Sequence, residues 1–147
     1  MKTTQPQKPH ITTFLACLNF TIYTAFSCRC FTATGNIFYD WCDIASVYGA
    51  PDDCIWGGGR VESGNQNPRE VFALMREYGI SARLTFSNSQ LEPVHLADKK
   101  CNALCALLSE NDRVQNGVII HSDLLLDYLK SHYPDLYFVS STTKVLT

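Results

Sequence analysis

The sequence predicts an α/β domain, a parallel βαβαβαβ sheet that forms half of a TIM-type (β/α) barrel, preceded by a poorly ordered N-terminal extension. Three observations predict it. Short apolar stretches recur four times between residues 54 and 139. Helix-length segments with apolar residues at helical spacing lie between them. Polar residues follow every apolar stretch. Strands that alternate with helices form parallel sheets with right-handed crossovers.

The amino-acid composition of the chain changes near residue 37. Residues 1–36 join a polar, lysine-containing start to an apolar stretch that threonine and asparagine interrupt. Three interpretations stay open for residues 1–33: a secretory signal, a weak membrane anchor, and an unstructured extension. We favour the extension, because the polar interruptions weaken the other two. The β/α domain is then predicted to occupy residues 37–147, and its abrupt end favours a truncated piece of a longer protein.

The first predicted elements lie between residues 37 and 59. Phe38, Trp41 and Ile44 recur at helical spacing and Gly49 is a natural stop, so a short helix is predicted over 37–49. Cys54–Ile55–Trp56 is predicted to be the first strand, and a run of three glycines ends it.

The later elements carry clearer boundary signals. Asn67, Pro68 and Glu70 are typical of a helix start, and Gly79 closes that helix. The second, third and fourth strands are predicted over 81–86, 117–120 and 136–139. A second helix is predicted from Glu92, and a third from its cap Ser122. The buried stripe of the second helix is predicted to hold Leu96, Ala97, Cys101, Leu104, Cys105 and Leu108.

Composition excludes some classes of function. The chain has 147 residues, 46% of them hydrophobic, and a formal charge of -2. That charge gives no basic surface for nucleic acid, and no apolar run is long enough for a membrane span. Seven cysteines without a scaffold spacing favour a reduced cytoplasmic protein, although a signal peptide in 1–33 stays open. We expect no metal and no cofactor in this chain.

Several stretches of the domain resemble the collagenase-like peptidase family. They are Val47–Gly58 (VYGAPDDCIWGG), Gly117–Leu126 (GVIIHSDLLL), Tyr128–Lys130 (YLK), Tyr133–Leu136 (YPDL) and Ser140–Thr143 (SSTT). The resemblance covers about residues 47–143 and implies the N-terminal half of a TIM-barrel-like domain. In that family, catalysis or iron–sulfur binding is associated with a cysteine cluster beyond the fourth strand. The resemblance therefore transfers no catalytic residue, and implies an iron–sulfur cluster only for a longer parent.

Polar residues at the carboxyl ends of the predicted strands are the candidate ligand-binding groups, because α/β folds bind ligands there. They are Arg60, Ser87, Asn88, His121, Ser141, Thr142 and Lys144. Arg60 is suited to an anionic group, and His121 to acid–base work. The neighbouring Ser122 is better explained as a helix cap.

Three hypotheses for function stay open, and whether the chain is an enzyme is undecided. The first is the amino-terminal half of a collagenase-like peptidase relative that is not catalytic alone. The second is a non-catalytic half-barrel that binds a small polar or anionic ligand or pairs with a second copy. The third is an exported protein. The possible partners are therefore a small ligand, a homodimer mate or a missing C-terminal half.

Overall fold

The computed structural model describes residues 10–14, 43–51, 54–58, 67–110 and 114–144. The described strands are β1 (His10–Phe14), β2 (Asp43–Gly49), β3 (Ser81–Phe86), β4 (Gly117–Ile120) and β5 (Tyr137–Ser140). The described α-helices are α1 (Pro68–Glu77), α2 (Lys99–Ser109) and α3 (Asp123–His132), and 3₁₀ turns span Ile55–Gly57 and Pro93–Ala97. No helix in these ranges is both long and apolar enough to cross a membrane.

All strand pairs are parallel, and the strands lie side by side in the order in which they occur along the chain. Leu84 of β3 pairs with Val118 of β4, which pairs with Phe138 of β5. The predicted α/β class with a parallel sheet is confirmed. The described helices pack against one face of the sheet, the arrangement that right-handed crossovers in a sequential parallel sheet produce.

The hydrophobic core lies between that face and the helices. Ala82, Phe86, Val118 and Ile120 supply the sheet side of the core. The helices contribute Phe72, Cys101, Cys105, Leu108, Leu125 and Leu129. Side chains alternate along a strand, so Arg83, Thr85 and Ile119 belong to the opposite face.

Two predictions for the start of the domain are wrong. Asp43–Gly49 is strand β2 and not part of a helix, because β-branched and aromatic residues suit a strand and pairing with β3 outweighs the helical spacing. Cys54–Trp56 is not a strand: Ile55–Gly57 forms a 3₁₀ turn that ends at Gly58, whose φ of 73° is left-handed. Residues 37–42 of the predicted helix lie outside the described residues.

Part of the predicted extension belongs to the sheet. His10–Phe14 pairs in parallel with β2 as strand β1. The expectation of a poorly ordered extension therefore does not hold for these five residues. The rest of residues 1–36 lies outside the described residues, and the division of the chain near residue 37 stays a prediction.

Most later boundaries are confirmed. Asn67 caps α1 and Ser122 caps α3, each accepting a backbone N–H. The predicted second helix is divided: a 3₁₀ turn covers Pro93–Ala97, and α2 starts afresh because the Asp98 carboxylate accepts the N–H of Cys101 at 2.8 Å. Four predicted stripe residues of α2 are buried: Cys101, Leu104, Cys105 and Leu108.

The expectation of reduced cysteines is wrong for one pair. Cys54 forms a disulfide with Cys101, and their Cα atoms lie 5.8 Å apart, a separation that a disulfide spans. The two residues are 47 positions apart in sequence, so no local spacing indicated the bond. Cys105 is a buried free thiol, and burial raises its pKa to about 12. A thiol that stays protonated is a poor nucleophile, so Cys105 acts as a core residue.

Candidate functional site

The carboxyl ends of β3, β4 and β5 meet at one edge of the sheet. Residues Phe86, Ile120 and Ser140 are in register across the three strands. Beyond them the ladder continues, since the His121 N–H donates to the Phe86 carbonyl at 3.1 Å and the Ser141 N–H to the Ile120 carbonyl at 2.8 Å. Ser87, His121 and Ser141, the next residue of each strand, therefore share one row at this edge.

The β3 end of this edge is covered by residues 54–58, which we call the rim turn. The Ser87 hydroxyl donates to the Gly57 carbonyl at 2.9 Å, and the Asn88 side-chain amide donates to the Ile55 carbonyl at 2.8 Å. The Asn88 backbone N–H donates to the Trp56 carbonyl at 3.1 Å. Both predicted candidates are thus engaged in holding the rim turn.

Trp56 anchors the rim turn in the core. Its side chain is fully buried, and its indole Nε1 donates to the His95 carbonyl at 2.8 Å. The ring packs edge to face against Phe86, with centroids 5.4 Å apart. Gly58 lies against the Asn88 backbone, where an added Cβ would come within 3.1 Å of the Asn88 nitrogen. The rim turn therefore packs tightly over the end of β3.

The ends of β4 and β5 surround a cavity of about 200 Å³, which we call the β4–β5 cleft. Strand ends, the start of α3 and the residues after β5 line it. The lining residues are Ile120, His121, Ser122, Asp123, Leu126, Lys130, Phe138, Val139, Ser140 and Lys144. Of the predicted candidates, His121 and Lys144 lie directly on the wall.

A chain of hydrogen bonds fixes His121 beside the cleft. His121 Nδ1 lies 3.1 Å from the Thr143 hydroxyl, which lies 2.8 Å from the Ser141 hydroxyl. The Thr143 N–H also donates to Ser141 Oγ at 3.3 Å. Because Nδ1 is engaged, Nε2 is the His121 nitrogen that is left for a ligand.

The charges in the cleft are mainly positive. Lys144 forms an ion pair with Asp123, the first residue of α3. Asp123, Leu126 and Lys130 are spaced i, i+3 and i+7 on the helix and therefore share one face. Two lysines thus border the cavity against a single carboxylate, and Leu126 and Phe138 give it an apolar wall.

The other predicted candidates are placed differently. Arg60 lies outside the described residues, and Thr142 is exposed in the turn after β5. Sequence reasoning did not single out Asp123, Lys130 or Thr143 as ligand-binding candidates. The helical spacing of Asp123 and Lys130 was a usable signal, whereas the contact between Thr143 and His121 depends on how the chain turns after β5.

Comparisons with protein-family models, with curated proteins and with solved structures found no match. Within the described part of the chain, no group of three or more His, Cys, Asp or Glu side chains is placed to hold a metal ion. Any inference about function therefore depends on the residues of the β4–β5 cleft.

Proposed function

We propose that this chain is a non-catalytic binding domain whose β4–β5 cleft holds a small anionic ligand. The observation that carries the proposal is the pair of lysines, Lys130 and Lys144, on the wall of a cavity at the carboxyl ends of parallel strands. Parallel α/β sheets bind ligands at this edge. An ammonium group donates charge-assisted hydrogen bonds to carboxylate or phosphate oxygens.

The cavity limits the size and shape of the ligand. A volume of about 200 Å³ is that of about seven liquid water molecules. Leu126 and Phe138 favour an apolar body, while Lys144 and His121 favour an anionic group. A compact acid with a single ring fits this description, so phenyl phosphate and benzoate are suitable probes.

We also propose, as a separate statement, that the domain is half of a TIM-type barrel that resembles the collagenase-like peptidases. The sequential, all-parallel strand order and the gathering of core residues on one face support it. The first strands of a TIM barrel are arranged in this way, whereas doubly wound sheets reverse their strand order. Completion by a C-terminal half or by a second copy, and an iron–sulfur cluster in a longer parent, belong to this proposal.

Calorimetric titration tests the binding proposal. We expect phenyl phosphate to bind the wild-type protein, and Lys144→Ala to weaken binding about tenfold, because a charged hydrogen bond is lost. Lys99→Ala is the matched control, since Lys99 is exposed on α2 and does not line the cleft. Equal binding of neutral benzyl alcohol, or equal affinities of the two variants, would overturn the proposal.

One observation favours a second possibility, an exported protein. Disulfides such as Cys54–Cys101 persist in oxidising compartments and are rare in the cytoplasm. Removal of residues 1–33 as a signal would, however, delete β1, which pairs with β2. Amino-terminal sequencing of the mature protein decides between export, with a start near residue 34, and a cytoplasmic protein that keeps Met1.

A further inference from the structure

We propose that Asp123 occupies the place of the ligand's anionic group when the cleft is empty, and that the ligand able to displace it is a phosphate monoester dianion. This inference rests on the function proposed above. Its starting point is the ion pair between Asp123 and Lys144, because Lys144 is the group that we expect to bind the anion. The protein's own carboxylate already satisfies that ammonium.

The two side chains of the ion pair differ in how far they are exposed to water. Lys144 follows the turn after β5, and its N–H donates to the Ser141 carbonyl at 3.0 Å. Its side chain is only 21% exposed, whereas that of Asp123 is 73% exposed. Because most of the Asp123 side chain already meets water, its carboxylate can swing away from Lys144 into water without losing a buried environment. Lys144 is then available to the ligand.

The exchange selects for charge. A carboxylate ligand replaces one carboxylate on Lys144 by another, and gains little from that contact. A phosphate monoester carries a charge of about -1.5 to -2 at pH 7 and three acceptor oxygens. One oxygen can take the place of Asp123 on Lys144, which leaves the others to accept hydrogen bonds from further donors of the lining, among which Ser122 and His121 are the candidates. The dianion therefore gains contacts that Asp123 does not make.

Calorimetric titration of two variants of the full chain tests the inference. Asp123→Asn removes the competing charge, and Asp127→Asn removes an equal charge from an exposed position of α3 that does not line the cleft. We expect Asp123→Asn to bind phenyl phosphate about fivefold more tightly than wild type, and Asp127→Asn to change affinity by less than about twofold. Wild type should bind phenyl phosphate more tightly than benzoate.

The outcomes separate the two proposals. Equal affinities of Asp123→Asn and Asp127→Asn for phenyl phosphate would overturn the role of Asp123 and leave the binding function standing. Equal affinity of wild type for benzoate and phenyl phosphate would overturn the preference for a dianion. No binding of phenyl phosphate to wild type or to Asp123→Asn would overturn the binding function itself, and this inference with it. Thermal unfolding of both variants shows whether each is folded at the titration temperature.

Discussion

Two parts of the same sheet edge use similar residues in opposite ways. At the end of β3, Ser87 and Asn88 donate hydrogen bonds to the rim turn. At the ends of β4 and β5, His121 and Lys144 border a cavity. All four side chains follow parallel strands, and all are equally good candidates from sequence. What separates them is whether a neighbouring segment of backbone has already taken their hydrogen bonds.

The comparison shows why position at a carboxyl edge is not sufficient to identify a site. The rim turn brings three carbonyl groups, those of Ile55, Trp56 and Gly57, over β3. Backbone carbonyls that are taken out of water need donors. Ser87 and Asn88 supply these donors, so their hydrogen bonds stabilise the fold. Among the residues that the structure describes, no such turn covers the ends of β4 and β5, and the residues there line a space that a ligand can fill.

The largest effect that would test this contrast is expected from the anchor of the rim turn. Trp56→Ala removes a fully buried ring and its hydrogen bond to the His95 carbonyl, and should lower the free energy of unfolding by about 3–5 kcal/mol. Val94→Ala is the control, because Val94 is 71% exposed and should change stability by less than about 0.5 kcal/mol. Urea denaturation followed by circular dichroism measures both. A loss below about 1 kcal/mol for Trp56→Ala would contradict an anchoring role.

The disulfide should give the next largest effect, because Cys54 begins the rim turn and Cys101 lies in α2. Replacing both cysteines by serine opens a loop that spans 47 positions, and should lower the free energy of unfolding by about 2–4 kcal/mol. Dithiothreitol should lower the melting temperature of the wild type and leave that of the double variant unchanged. An equal shift in both proteins would show that the bond does not stabilise the fold.

The later half of the fold was predictable because its signals are local. Asn67 and Ser122 cap helices through their own side chains, and the apolar run Gly117–Ile120 is a largely buried interior strand of the sheet. The first half was misread for the opposite reason. Over Asp43–Gly49, pairing with β3 outweighs the local helical spacing, and β3 lies more than thirty residues away in sequence. From sequence, Trp56 fits a strand as well as a turn. Its contacts with Phe86 and with the His95 carbonyl, which favour the turn, are visible only in the structure.

The candidate site was likewise predictable only in part. The placement of His121 and Lys144 near a strand end follows from the order of strands and helices, which sequence reveals. The pairing of Lys144 with Asp123, 21 residues earlier, and of His121 with Thr143, 22 residues later, depends on the turn after β5. No periodicity encodes that turn, so the partners of the predicted residues had to come from the structure.

A smaller effect should measure how closely the rim turn docks on β3. Gly58 and Gly79 both have a positive φ, of 73° and 67°, but a Cβ at Gly58 would meet the Asn88 backbone while one at Gly79 would meet nothing within 4 Å. Gly79→Ala therefore gives the backbone penalty alone, about 1 kcal/mol. Gly58→Ala should cost about 1 kcal/mol more in the same urea titration, because the turn must shift. Equal losses would mean that the turn yields freely to the added methyl group.

The smallest expected effect concerns the residues that support His121 beside the β4–β5 cleft. Thr143→Val keeps the shape of the side chain but removes the hydroxyl between His121 and Ser141, so His121 loses the contact that holds Nδ1. Phenyl phosphate should then bind about threefold more weakly, the equivalent of part of one hydrogen bond. Thr142→Val is the control, because Thr142 is the exposed neighbour in the same turn. If both variants bind alike, His121 needs no support from Thr143, and the cleft depends on its lysines rather than on the hydrogen-bonded row behind them.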